Sequence, residues 1–275
     1  MSTCIRIKQK SLFKKKLTLD DVVRLTGLSF GVCDETYRLL PGEKADHTLL
    51  YDENHLARGI DISFEDTDIV LLLSLPTSPQ EIRTFYRITD LICQELKTKT
   101  YIREEEPVRV GSEDKFIQYD EKASIAGLED LYEKIHQDTY KHFEIFGICN
   151  PISIGLKEIE KIGSDLNRLA KFLHSVQSLD VYYAAPRVYR IKEQLIGLYA
   201  IGPDIPSVVP TEPYIVLNQI QGIQSWYVMI NEKTIRYEDF INHVAKQEYY
   251  DANHVIVLLN GKEAALLADT YQTEI

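Results

Sequence analysis

One stretch of this chain gathers side chains that could hold an anion or move a proton: Glu53-Asn54-His55-Leu56-Ala57-Arg58-Gly59-Ile60-Asp61. His55 offers an imidazole, Arg58 offers a planar fork of donors that fits a carboxylate or phosphate, and Asp61 adds a carboxylate close by. The stretch reads as a loop entering a strand, and loops held by a sheet often carry binding groups. The same residues also fit an ordinary solvated turn. A second candidate surface comes from the seventeen tyrosines, many of them in the second half (Tyr182, Tyr183, Tyr189, Tyr199, Tyr214, Tyr227, Tyr249, Tyr250). Tyrosine is enriched at protein interfaces, which makes the adjacent Tyr249 and Tyr250 candidates for a partner-binding surface. The plainer reading has these rings edging the sheets with their hydroxyls in water.

Other chemistries lack their usual residues. Zinc needs closely spaced Cys and His, and there is no CxxC, HxH or HExxH. The acidic loop around Asp66 and Asp68 lacks the glycine and distal glutamate of a calcium loop. Neither GxGxxG nor GxxxxGK[ST] is present to cradle phosphates, and no GxSxG marks a serine nucleophile. Cys149 could act as a nucleophile only with a distant histidine, and a small apolar role near a turn suits it better. The expectation is therefore no metal and no cofactor.

Charge narrows the partners. A net charge of -11 repels polyanions, and the one basic cluster, Lys8, Lys10, Lys14, Lys15 and Lys16, has no interleaved aromatics, so it reads as a solvated loop. Nucleic acid is not expected. The apolar runs Ile69 to Leu73 and Val255 to Leu259 are too short to cross a bilayer as helices. The opening MSTCIRIKQK lacks the apolar core of a secretory signal, and the four cysteines are far apart, which together predict reduced thiols in the cytoplasm.

The elements that would position these residues follow from periodicity. Ile5 and Ile7 alternate with polar neighbours as in a half-buried strand. A helix follows, capped by Thr18, with Asp20 and Asp21 in its first turn and Gly27 at its end. Strands at Tyr37 to Leu40, His47 to Tyr51, Ile60 to Phe64 and Ile69 to Leu75 read as an antiparallel meander, the last two joined by the hairpin loop 65–68. Ser78-Pro79-Gln80-Glu81 starts a long helix, with Ser78 as cap, Pro79 in the first turn and Glu81 closing a capping box. An edge strand is expected at Thr100 to Arg103. The acidic, turn-rich segment that follows, Glu104 to Asp114, reads as a linker, which gives two domains, 1–112 and 113–275.

In the second part, helices are expected over 125–143 and 156–176. Strands follow at Val181 to Tyr183, Arg187 to Ile191, Leu195 to Ile201, Tyr214 to Leu217, Trp226 to Ile230 and Thr234 to Arg236, then a short helix from Glu238 to Val244. Val255 to Leu259, the turn Asn260-Gly261 and an apolar return at Ala264 to Ala268 read as a hairpin. The fold class is α+β, each domain an antiparallel sheet with packed helices.

The segments IKQKSLFKKKLTLDDVVRLTGLSFGVCDETYRL, ARGIDISF and LSLPTSPQEIRTFYRI resemble an uncharacterised Gram-positive, largely streptococcal, family of unknown function. The resemblance covers mainly the first hundred or so residues. It implies a bacterial cytoplasmic origin and transfers no activity, cofactor or catalytic residue. The functional expectation is a non-catalytic binding or interaction protein, with a protein partner or a homo-oligomer. The alternative is a small-molecule enzyme whose Tyr, Arg and carboxylate groups converge only in three dimensions.

Overall fold

The computed structural model describes residues 1–9, 16–218, 220–245 and 247–275. The chain forms two compact units, Met1–Ser178 and Leu179–Ile275. Both mix helices and strands, so the class is α+β.

The first unit runs β1 (Ser2–Lys8), α1 (Leu19–Thr26), β2 (Ser29–Cys33), β3 (Leu39–Pro41), β4 (His47–Tyr51), β5 (Ile60–Glu65), β6 (Asp68–Ser74), α2 (Pro79–Leu96), β7 (Thr100–Arg103), β8 (Glu106–Arg109), α3 (Asp114–His136), β9 (His142–Phe146), β10 (Pro151–Gly155), α4 (Leu156–Ile162) and α5 (Leu166–Gln177). An eight-stranded antiparallel sheet has the order β3-β2-β4-β5-β6-β1-β7-β8, and β9 pairs with β10 as a separate hairpin. Ile60 and Ile62 of β5 are buried while Asp61 between them is half-buried, as a one-face-buried strand requires. α2 lays Ile82, Phe85, Ile88 and Ile92 onto Ile5, Ile7, Leu71 and Leu73.

Capping fixes the helices locally. Thr18 and Asp21 form a capping box at α1, and Gly27 ends it in the left-handed region at φ 69. Ser78 accepts from the Glu81 amide at the start of α2. Asp165 caps α5, and Gly163 separates it from α4, so the single helix expected over 156–176 is two. The helix expected over 125–143 runs Asp114–His136 instead, and the residues after it form β9.

The acidic segment read as a linker begins as a hairpin. Glu104, at φ 55, sits in the turn between β7 and β8. β7, expected at an edge, is interior, because β8 covers it. The chain continues within the same unit, since α3 carries a buried anchor. Asp120 accepts from Thr3 Oγ1 of β1 at 3.0 Å, from Tyr86 Oη of α2 at 2.5 Å and from Arg103 Nη2 of β7 at 2.5 Å. Lys16 Nζ donates to the Asp66 carbonyl; Lys10, Lys14 and Lys15 of the predicted lysine loop lie outside the described residues.

The second unit runs β11 (Tyr182–Tyr183), β12 (Arg187–Ile191), β13 (Gln194–Ala200), β14 (Ser207–Pro210), β15 (Ile223–Ile230), β16 (Lys233–Arg236), α6 (Tyr237–His243), β17 (Gln247–Tyr249), β18 (His254–Val257) and α7 (Gly261–Tyr271). Its sheets have the orders β11-β14-β18-β17 and β12-β13-β15-β16. Both are mixed rather than antiparallel throughout, since β11–β14 and β13–β15 are parallel. The reason is connectivity: the chain leaves β13 to build β14 in the other sheet, then re-enters beside β13 in the same direction. Gly197 of β13 admits this neighbour, because a Cβ there would lie 2.1 Å from Trp226 Cε3 of β15.

Two expected strands are absent. Val216–Asn218 is a 3₁₀ turn with Leu217 at φ 57, so Tyr214 to Leu217 is not extended. The expected Asn260-Gly261 hairpin is the start of α7. Asn260, at φ -71, accepts from the amides of Lys262 and Glu263, and Glu263 accepts the Asn260 amide in return. Ala264, Leu267 and Ala268 are the buried stripe of that helix.

Candidate binding cleft

In the first unit, β4 and β5 pair with His47 opposite Ser63 and Leu49 opposite Asp61. This register puts His47 and Asp61 on a diagonal, and His47 Nδ1 lies 3.0 Å from Asp61 Oδ1. That hydrogen bond, with the carboxylate charge, raises the His47 pKa. Both side chains line a cleft of about 340 Å³, along with Tyr37, Arg58, Ser74 and Phe146.

Arg58 is held from two sides. Its Nε donates to the Phe146 carbonyl at 3.2 Å and its Nη1 to the Pro76 carbonyl at 3.4 Å. Among the described residues, no carboxylate lies within ion-pair distance of the guanidinium. Burial lowers its pKa, an effect that the Glu81 charge opposes. Glu81 itself does not close a capping box on Ser78. Its carboxylate accepts from the Gly59 amide at 2.7 Å, the Arg58 amide at 3.1 Å and the Thr77 hydroxyl. Two consecutive amides converge on one carboxylate, and Gly59, at φ +80, then turns the chain into β5. Burial raises the Glu81 pKa, and these hydrogen bonds oppose that rise. Glu81 thus anchors the backbone that carries Arg58, while the guanidinium itself donates to the Phe146 and Pro76 carbonyls.

Of the three loop residues predicted from sequence, Arg58 and Asp61 line one cleft. His55 does not, as its Nδ1 lies 3.0 Å from Asp52 Oδ2 in an exposed turn. His47 takes the imidazole place, and the pairing of two predicted strands was the signal that could have found it. The adjacent tyrosines separate as well: Tyr249 is 49% exposed, whereas Tyr250 is 4% exposed and packs edge-on to Tyr183 and His254. Tyr250 therefore cannot present a ring at the surface.

A buried polar network in the second unit escaped the sequence reading. Asp251 Oδ1 accepts from the amides of Asn253 and His254, each at 2.9 Å, and from His254 Nδ1 at 2.8 Å. This leaves His254 Nε2 to the hydroxyls of Tyr183 at 3.0 Å and Tyr214 at 3.2 Å. An aspartate orienting an imidazole is also the arrangement of a hydrolase base, but there a serine or cysteine stands at Nε2. Here tyrosines stand there, and His254 is 2% exposed, so the network ties β18 to β11 and to the chain before the 3₁₀ turn.

Among the described residues, no three His, Cys, Asp or Glu side chains converge to hold a metal ion, and no helix is long and apolar enough to cross a membrane. Fold and site define an α+β protein with an arginine-bearing cleft on its larger sheet. The family model for a domain of unknown function, DUF4299, matches residues 2–267, and the chain belongs to that family. No curated protein and no solved structure matches it.

Proposed function

We propose that the protein is a non-catalytic binding protein of the cytoplasm of a Gram-positive bacterium, and that its first unit takes a small anionic ligand at Arg58. The observation that carries this reading is a half-buried guanidinium, fixed by two carbonyls and, among the described residues, with no carboxylate within ion-pair distance, on the wall of a cleft of about 340 Å³. The Glu81 charge reaches the guanidinium only from beyond ion-pair distance, so an anion held directly by the Arg fork offsets the remaining cost of its desolvation. His47 and Tyr37 supply further polar contacts in the same cleft, while Asp61 repels a second anionic group and so favours a ligand with one charged end. Tyr249 remains the surface tyrosine proposed for a protein partner or a homo-oligomer, and nucleic acid is not among the proposed partners.

The enzyme alternative draws on one observation, the His47–Asp61 pair beside Arg58, which has the composition of a general base next to an anion clamp. A thermal-shift series with small carboxylates and inorganic phosphate tests both. Ligand at about 100 times its Kd should stabilise the protein by about 2.7 kcal/mol. The shift should vanish in Arg58→Lys, which keeps the charge and loses the fork, and persist in His55→Ala. A shift that survives Arg58→Lys removes the cleft proposal, and chemical conversion of a bound ligand, lost in His47→Ala, establishes the enzyme.

A further inference from the structure

Among the described residues, β12 is an open sheet edge of the second unit. β12 ends the order β12-β13-β15-β16 and pairs with β13 alone. Alternate amides and carbonyls along Arg187–Ile191 therefore point away from the sheet, where they can template another strand. Arg187, Tyr189, Arg190 and Ile191 are exposed, and Val188 is half-buried. Lys192 follows in the turn, so this edge carries three cations in a chain of net charge -11. Among the described residues none of the three makes a side-chain ion pair or hydrogen bond, and Glu193 is the only anion in the turn.

From this edge we infer that β12 docks an extended acidic segment of another protein, which adds to the sheet as a further strand. Backbone hydrogen bonds supply the affinity in such strand addition, and side chains on alternate faces supply the selectivity. Arg187, Tyr189 and Ile191 lie on one face and Val188 and Arg190 on the other, so a carboxylate on either face of the incoming strand meets a guanidinium. A second copy of this chain is a poor occupant. Antiparallel pairing of β12 with itself would double the cations along one seam, with only Glu193 of each copy to offset them. The competing role for these charges is to discourage edge association altogether, which edge strands commonly do.

The test uses the full chain and a blocked, fluorescein-labelled decapeptide of Glu, Val and Thr, followed by fluorescence anisotropy at low salt. Binding should weaken about tenfold or more in Arg187→Glu/Arg190→Glu and in high salt. N-methylation of alternate peptide residues should abolish binding in one parity and spare it in the other, because only one edge of the added strand faces β12. An unchanged circular dichroism melt for the double variant shows that the sheet persists. No binding, binding indifferent to N-methylation in both parities, or self-association lost in the double variant would each overturn the inference.

Discussion

Asp90 of α2 and Glu113, which precedes α3, bring two carboxyl groups together near Tyr101. Glu113 accepts from the Gly111 amide at 2.9 Å, while Asp90 Oδ1 and the Tyr101 hydroxyl are buried with no hydrogen-bond partner among the described residues. Burial, then the charge and hydrogen bond of Glu113, push the Asp90 carboxyl from 3.8 up to about 6. A carboxyl raised in the folded state stabilises the protein below its unfolded pKa, and that contribution is lost as pH rises through the folded value. Asp90→Asn keeps a neutral donor at all pH. Its melting temperature relative to the parent should therefore be higher at about pH 7.5 than at about pH 4; a difference independent of pH would show that the pair does not share a proton. Single residues were legible where local spacing decided their role, as for Thr18 and Ser78. Arg58 and Asp61 were legible as a pair, because they lie three residues apart on one loop and strand. Glu81 was not, since the capping-box spacing pointed it at Ser78, and only the folded sheet brings the Gly59 turn within its reach.

At the scale of elements, the ends of helices and the long strands were readable, while short apolar runs were ambiguous. Asn260-Gly261 satisfies both a hairpin turn and a helix start, because asparagine accepts backbone amides equally well in either. Glu263, three residues on, decided for the helix. Asn260→Ala should cost about 1 kcal/mol through loss of the N-cap, measured as a shift of the denaturant midpoint. No shift would mean that α7 is held by packing alone. The same ambiguity explains the parallel pairs of the second unit. Strand content was visible in alternation, but direction depends on which sheet the chain visits between β13 and β15, and no local pattern records that.

For the whole molecule, a run of glutamates and turn residues marked the division after residue 112, yet charge runs also form hairpin tips. The compact unit continues to Ser178, and Asp120 of α3 is the buried counter-charge of Arg103 across the expected division. A chain ending at Ser178 should therefore melt cooperatively. One ending at residue 112 strips Arg103 of its carboxylate, a loss of about 3–5 kcal/mol for a buried pair. Circular dichroism melts of the two fragments check this, and equal stability would restore the earlier boundary. The stacking of Trp226 on Gly197 has a practical consequence for such experiments. It is the only tryptophan in the chain, so indole fluorescence reports on Leu179–Ile275 alone, whereas the backbone signal sums over both units. If emission and ellipticity change at different denaturant concentrations, the gap between them measures how independently the two units unfold, with no label and no mutation.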